Sequence, residues 1–291
     1  MQKELTIILG PTGVGKTDYS IDLALEYGSP IINCDSRQIY KEMNIGTASP
    51  TAQQLETVRH YFIHTHSVTQ YYTAGLYELE AMALLEELFK EHDRLVMVGG
   101  SGMYIDALCN GLDDFPPADL QLRDSLMKRL EVEGIESLRN ELRIVDRASY
   151  DTIDIANPQR VVRALEVTLQ TGRKFSDWKS APKKVRPFAI RKIGINRNRE
   201  ELYDRINRRV DIMMEQGLLA EVEGLVQYKN LPALKTVGYR EFFDYFDGKH
   251  SLETAVELVK RNSRHYAKKQ LTYWGRDKEI EWLNFQVQKG I

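Results

Sequence analysis

Cysteine is nearly missing: Cys34 and Cys109 are the only two in a chain of 291 residues. Two thiols are too few for a disulfide framework or a cysteine zinc site. They fit a reducing compartment, with both serving as small structural side chains. Long apolar runs are missing as well. The longest near the start, Leu5-Thr6-Ile7-Ile8-Leu9, is far shorter than a membrane span or the hydrophobic region of a signal peptide, and no basic stretch leads into it. The chain is therefore expected in the cytoplasm, off the membrane. Low-complexity tracts and internal repeats are absent too, which excludes a disordered protein and a repeat array. What is present, 42% hydrophobic and 28% charged residues with a mean hydropathy of -0.43, is the composition of a folded globular protein.

The formal net charge is only -2, which by itself argues weakly against a nucleic-acid partner. Its distribution points the other way. Residues 1–156 hold 13 Lys+Arg against 25 Asp+Glu, a net of -12, while residues 157–291 hold 27 against 17, a net of +10. A local basic surface produces such asymmetry, and solvated helix faces with balanced neighbours produce it equally well. The length exceeds one typical domain, so either one sizeable domain with an insertion or two domains are expected.

Leu5–Leu9 reads as a buried strand, Gly10–Gly15 as a glycine-rich turn, and Lys16–Tyr27 as a helix ended by Gly28. Further strands are expected at Pro30–Cys34, Tyr61–His66, Leu95–Val98 and Ala189–Ile195, with a helix over Ala74–Glu91. Alternating strands and helices imply an α/β protein with a parallel sheet. Pro116-Pro117 breaks the pattern, and from Asp119 to about Thr171 the period is helical, with Leu122, Leu126 and Leu130 on one face. This divides the chain into a core of residues 1–115 and 188–291 and an inserted helical domain of residues 116–187. The carboxy-terminal part is helical, through Leu202–Met214, Leu218–Tyr228 and Leu252–Trp274.

Gly10-Pro11-Thr12-Gly13-Val14-Gly15-Lys16-Thr17 matches the phosphate-loop pattern G-x-x-x-x-G-K-[ST] between a strand and a helix. The glycines let backbone N–H groups converge on phosphate oxygens, the helix N-terminus adds positive potential, Lys16 supplies a point charge, and Thr17 can hold a magnesium ion. The loop does not say whether the phosphates belong to a nucleoside triphosphate or to another diphosphate ester. Asn198-x-x-Glu201 reads as a capping box opening a helix in which Leu202, Ile206, Val210 and Met213 form the core stripe. Arg205 and Arg209 then share another face, at a spacing that suits two guanidinium groups reaching one diphosphate. Asp35 follows a parallel strand, at the carboxyl edge where α/β sheets build their sites. From context alone it is equally a proton acceptor or a ligand of magnesium or substrate.

Asp35-Ser36-Arg37-Gln38-Ile39-Tyr40, followed by Met43-Asn44-Ile45-Gly46-Thr47-Ala48, closely resembles the signature of bacterial tRNA dimethylallyltransferases. The resemblance continues through Val98–Tyr104, Asn157–Glu166, Thr236–Arg240 and the stretch from Arg264 to Trp274, so it spans nearly the whole chain. One departure is Ser101, where the family usually carries Thr; the hydroxyl is kept and a methyl is lost. The zinc-finger extensions of eukaryotic relatives are absent.

The resemblance implies a phosphate-loop α/β core with an inserted tRNA-binding helical domain. The implied reaction moves a dimethylallyl group from dimethylallyl diphosphate to N6 of adenine 37, beside the tRNA anticodon, with Mg²⁺ as cofactor and no membrane partner. A monomer is expected. The implied catalytic residues are Asp35 as base, Ser101 at the adenine amine, and Lys16 and Thr17 at the diphosphate. The donor diphosphate would lie on Gly10–Thr17, with an arginine of the Arg205–Arg209 segment. The flipped adenine enters one end of a channel and the donor the other. The tRNA would meet Asp35, Ser36, Arg37, Gln38, Ser101, Arg123, Lys235, Thr236, Val237, Gly238, Tyr239 and Arg240, together with Gln159, Arg160, Val161, Val162 and Arg163 on a helix that Asn157 caps and Pro158 opens. For Arg123 a surface salt bridge is the alternative. The last helix carries Lys260, Arg261, Arg264, Lys268 and Lys269 among Tyr266, Tyr273 and Trp274, and reads as a phosphate-facing surface or as a solvated amphipathic helix. Two rival functions are a small-molecule kinase using the same loop and a non-enzymatic RNA-binding protein.

Overall fold

The structure, a computed structural model, describes residues 2–113, 115–179 and 184–285. Two compact units emerge, Met1–Cys109 with Arg186–Ile291, and Asn110–Val185. Residues 180–183 of the expected insertion lie outside the described residues.

The first unit is built on a six-stranded parallel sheet in the order β3-β2-β4-β1-β5-β6. Its strands are β1 (Glu4–Leu9), β2 (Ile31–Asn33), β3 (His60–Tyr61), β4 (Arg94–Val98), β5 (Ala189–Arg197) and β6 (Ile280–Phe285). Leu5, Ile7, Ile8, Ile31, Ile32, Leu95, Val96 and Met97 have no exposed surface. Strands covered on both faces explain why these segments read as continuous apolar runs. The helices packed on the sheet from this half of the chain are α1 (Lys16–Tyr27), α3 (Ala74–Glu91) and α4 (Gly102–Asn110), while α2 (Ala52–Thr57) buries no residue.

The second unit holds α5 (Leu120–Glu133), α6 (Ile135–Val145), α7 (Arg147–Thr152), α8 (Pro158–Thr171) and α9 (Phe175–Trp178). Its own core gathers Leu126, Leu138, Leu142, Val161, Val162 and Leu165, with Leu122 and Leu130 packed against it. The chain then returns to the first unit for β5, α10 (Arg199–Glu215), α11 (Leu218–Glu223), α12 (Arg240–Phe246) and α13 (Leu252–Trp274). On α10 the buried residues are Leu202, Ile206, Val210 and Met213, the stripe expected from the sequence.

Three expectations are corrected. The strand expected at Tyr61–His66 is only His60–Tyr61, because Phe62 and His64 turn to positive φ (60° and 52°) and leave the extended region. The helix expected over Leu218–Tyr228 stops at Glu223 and resumes as a 3₁₀ turn at Val226–Tyr228. The sequence reading missed β6 entirely. It pairs with β5 from Lys192↔Ile280 to Arg197↔Phe285 and forms the sheet edge.

Candidate active site

The loops after β1, β2 and β4 leave the same carboxyl edge of the sheet, which is how one parallel fold brings distant residues together. Gly10 follows β1 and has no room for a side chain, since a Cβ would lie 2.5 Å from the Ile195 carbonyl oxygen of β5. Gly15 caps α1 at φ 103°, in the left-handed region that other residues avoid, and no side chain caps that helix. Uncapped first-turn N–H groups at a helix start form an anion site.

Basic side chains hold the other polarity of this loop. Lys16 Nζ donates to the carbonyls of Gly10 and Pro11, each at 3.0 Å. Arg205 Nε donates to Gly13 O at 2.9 Å, and Arg197 Nε to Val14 O at 2.7 Å. Arg209 Nη2 donates to Thr12 Oγ1 at 2.8 Å. Three cations take up four of the loop's carbonyls. Both arginines of the expected pair thus reach the loop, while Arg197 was not anticipated. It is brought there because β5 runs parallel to β1 with Leu9 opposite Gly194, so its last residue lies beside the loop. Glu201, the second half of the expected capping box, pairs with Arg197 instead. Asn198 alone caps α10, accepting from Glu200 N at 2.9 Å.

Burial pushes Lys16 down to about 8, with Asp35 opposing that shift and Arg209 adding to it. Arg209 is lowered to about 10, again by burial, with Asp35 opposing. Two desolvated cations facing one carboxylate are a centre prepared for further negative charge.

Asp35 Oδ1 accepts the N–H groups of Arg37 (2.8 Å) and Gln38 (3.3 Å). Among the described residues no hydrogen bond reaches Oδ2. Ser101 Oγ accepts Ser36 N at 2.8 Å and donates to Ser36 Oγ at 3.0 Å. Its carbonyl starts α4 by accepting from Tyr104 and Ile105. The hydroxyl therefore ties the turn after β4 to the loop after β2, and Ser101 lines neither of the cavities described next.

Two cavities, of about 440 and 580 Å³, meet at this edge and share Thr12, Asp35, Thr47, Ala48 and Arg209 as lining residues. The first contains Gly13, Gly15, Lys16, Thr17, Gln38, Arg205 and Arg208. The second contains Ser36, Arg37, Lys235, Thr236, Val237, Arg240, Tyr266, Lys268 and Lys269. Ala48 holds a positive φ of 52° in the shared wall, where Gln38 Nε2 donates to the carbonyls of Thr47 (3.2 Å) and Ala48 (3.0 Å). Val14 and Pro11 are buried and offer backbone only.

The Lys235–Arg240 segment is held by two acidic residues that the sequence reading passed over. Glu221 accepts from Asn44, Ile45 and Gly46 N–H and from the Tyr239 hydroxyl at 2.7 Å. Buried Glu241 accepts from Gly238 N at 3.0 Å, Arg240 Nε at 2.9 Å and Asn262 Nδ2 at 2.7 Å. Tyr239, expected at the RNA, is almost wholly buried, donates its hydroxyl to Glu221 and borders the second cavity.

The remaining candidates sit in the second unit. Asn157 caps α8 through Gln159 N (3.1 Å) and Arg160 N (3.4 Å), with Pro158 in the first turn. Gln159 and Arg160 are exposed. Val161 and Val162 have no exposed surface and belong to the core of this unit, a correction to their expected RNA contact. Arg123 and Arg163 both pair with Glu166, at 3.2 and 2.7 Å, and the Glu166 side chain is 0% exposed. Arg123 thus pairs with a buried carboxylate, not with a surface one as in the salt-bridge expectation, and Arg163 shares that partner.

The model of the IPP transferase family matches residues 38–277. The chain is 50% identical over 287 residues to tRNA dimethylallyltransferase 1 of Bacteroides thetaiotaomicron, covering 99% of this chain and 93% of that protein. It is similar to the crystal structure of the full-length tRNA isopentenylpyrophosphate transferase of Bacillus halodurans, with a TM-score of 0.71 and 34% identity over 97% of this chain and 90% of that one. A eukaryotic dimethylallyltransferase acting on tRNA superposes with a TM-score of 0.80 at 27% identity, covering 97% of this chain and 74% of its own.

Proposed function

The chain belongs to the IPP transferase family, and on that premise we propose that it is a tRNA dimethylallyltransferase using dimethylallyl diphosphate to modify N6 of adenine 37 beside the anticodon. The observation that carries this reading is the wall of Thr12, Asp35 and Arg209 shared by two cavities, one over the phosphate loop and one among basic and aromatic side chains. Two compartments meeting at a carboxylate fit a small diphosphate on one side and an extruded base on the other.

In this mechanism the allylic carbon–oxygen bond of the donor breaks as the carbon–nitrogen bond to N6 forms, and the amine proton passes to Asp35. The amine is a weak nucleophile because its lone pair is delocalised into the ring, so a fixed proton acceptor lowers the barrier. Asp35 is fixed by its two backbone hydrogen bonds through Oδ1, which leaves Oδ2 for the proton. The departing diphosphate meets Lys16, Arg205, Arg209 and the N–H groups opening α1. Ser101 supports the centre through Ser36. Among the described residues no cluster of three or more His, Cys, Asp or Glu could cage a metal. A magnesium ion here would be held by Thr17 and by the diphosphate itself, the ordinary mode for Mg²⁺ on phosphates, where it neutralises charge on the leaving group.

The tRNA would lie on the second cavity, with Arg37, Lys235, Arg240, Lys268 and Lys269 meeting phosphates and Tyr266 offering a ring for stacking. In the second unit, Gln159 and Arg160 are exposed. No helix among the described residues is long and apolar enough to cross a membrane. Mass analysis of nucleosides from bulk tRNA incubated with the protein, Mg²⁺ and dimethylallyl diphosphate tests the reading. An adenosine heavier by one dimethylallyl group is expected; unmodified tRNA here, with ATP consumed in a parallel incubation that supplies it, would favour the kinase instead.

A further inference from the structure

We propose that Gln270 is a positioning residue, fixing the separation between the diphosphate loop and the turn that carries Ser101, and so the alignment of donor and acceptor. The proposal rests on reading the site as a prenyl-transfer centre. Gln270 comes from α13, remote in sequence from both loops it joins, and only 6% of it is exposed. Its Oε1 accepts the N–H of Thr12 at 2.8 Å, and its Nε2 donates to the carbonyl of Gly100 at 2.9 Å. One acceptor and one donor on the same side chain fix which way the amide faces, and glutamate could supply only the first.

The contact is tightest at Gly100, where a Cβ would come within 2.5 Å of Nε2. Both ends of the bridge continue into the site. Thr12 Oγ1 is held by Arg209, and Ser101, next after Gly100, accepts the N–H of Ser36 beside Asp35. One turn further along α13, Tyr273 covers Gly102, where a Cβ would overlap its ring, and its hydroxyl donates to Asp106 of α4. The helix thus grips the turn after β4 at two points while holding the phosphate loop at a third. The same helix lines the acceptor-side cavity with Ser263, Tyr266 and Lys269, so the element facing the acceptor also sets the spacing. Reactions between two bound groups are sensitive to such spacing, a displacement of about 1 Å costing roughly 10²-fold in rate.

Gln270→Leu removes both bonds at similar volume, and Gln270→Glu keeps the acceptor but turns an oxygen toward the Gly100 carbonyl. In full-length protein, single-turnover transfer from dimethylallyl diphosphate to tRNA is expected to fall roughly 10- to 100-fold in both variants. Affinity for inorganic pyrophosphate with Mg²⁺, and affinity for tRNA, should each stay within about threefold of wild type, because alignment rather than binding is lost. Equal losses in rate and in both affinities, accompanied by a lower Tm, would mark Gln270 as merely structural and overturn the proposal, as would an unchanged rate. Should Gln270→Leu fail to fold, Gln270→Glu alone decides on the same readouts. Wild-type protein that transfers no prenyl group defeats the functional reading and this inference with it. Active wild type matched by the variants defeats this inference alone.

Discussion

Arg163 Nη1 lies 2.7 Å from Glu166 Oε1, and the carboxylate it meets has no exposed surface. A residue that sequence alone offers to an RNA loop is thereby committed to a buried charge. Removing one partner of a buried pair costs about 3–5 kcal/mol, and Arg123 still reaches the same carboxylate, so Arg163→Ala should cost at or below the lower end of that range. Arg160 is exposed and only distantly paired, 3.9 Å from Asp154. Arg160→Ala should leave stability within about 0.5 kcal/mol and lower the salt slope of log K for tRNA by about one unit if it meets a phosphate. Thermal melts and tRNA affinities across a salt series separate the two: affinity lost in Arg163→Ala should track stability, and in Arg160→Ala it should not.

Lys16→Ala should abolish prenyl transfer while leaving tRNA affinity largely intact, because Lys16 lines the cavity over the phosphate loop and not the other. Transfer assays beside filter binding check this. Full activity in the variant sinks the assignment of the loop to the donor.

The depressed pKa of Lys16 gives a pH signature. Its ammonium is charged below about 8 and neutral above, so affinity for pyrophosphate should fall as pH rises through that value. For stability the sign is opposite. The folded pKa lies below the unfolded value of 10.5, so between about 8 and 10.5 the unfolded chain binds the extra proton, and this group makes the free protein more stable as pH rises through that window. Pyrophosphate titrations from neutral to alkaline pH, with Lys16→Arg as a control that stays charged, should show a wild-type fall that the control lacks.

Asp35→Asn keeps the shape and removes proton acceptance, and loss of a general base costs about 10²–10⁴-fold in rate. Single-turnover measurements at saturating donor and tRNA should show that loss with both affinities largely kept. An unchanged chemical step would assign Asp35 to RNA positioning instead.

Gly46→Ala should weaken both halves of the site at once. A Cβ there would lie 2.7 Å from the Tyr239 ring, and the next two residues, Thr47 and Ala48, line both cavities. Overpacking of this kind costs about 1–3 kcal/mol. The accompanying shift should raise KM for donor and tRNA together, and a rise confined to one substrate would show that the two cavities do not share a working wall.

Several features that depend on short range were legible in the sequence, although the local turn at Phe62 and His64 and the partner of Glu201 were not. The phosphate loop, the span of α1, the stripe Leu202–Ile206–Val210–Met213 and the Asn157 cap with Pro158 were legible because glycine conformation, helical period and capping chemistry act within a few residues. Sequence also separated the helical insertion from the sheet, through a change of period. Tertiary structure decided the partners of the polar side chains that act across distant elements. The edge strand β6 follows a long helix and is recognisable only by its pairing with β5. Glu166, Glu221 and Glu241 look like ordinary surface charges in the sequence, yet they organise arginines and loop N–H groups. Gln270 stands 258 positions from Thr12 and 170 from Gly100, and no local pattern marks a residue whose two partners meet it only after the sheet has formed. The division follows from the range of the forces: backbone preference is written in neighbours, whereas a hydrogen bond between distant residues exists only once the core has brought them within reach.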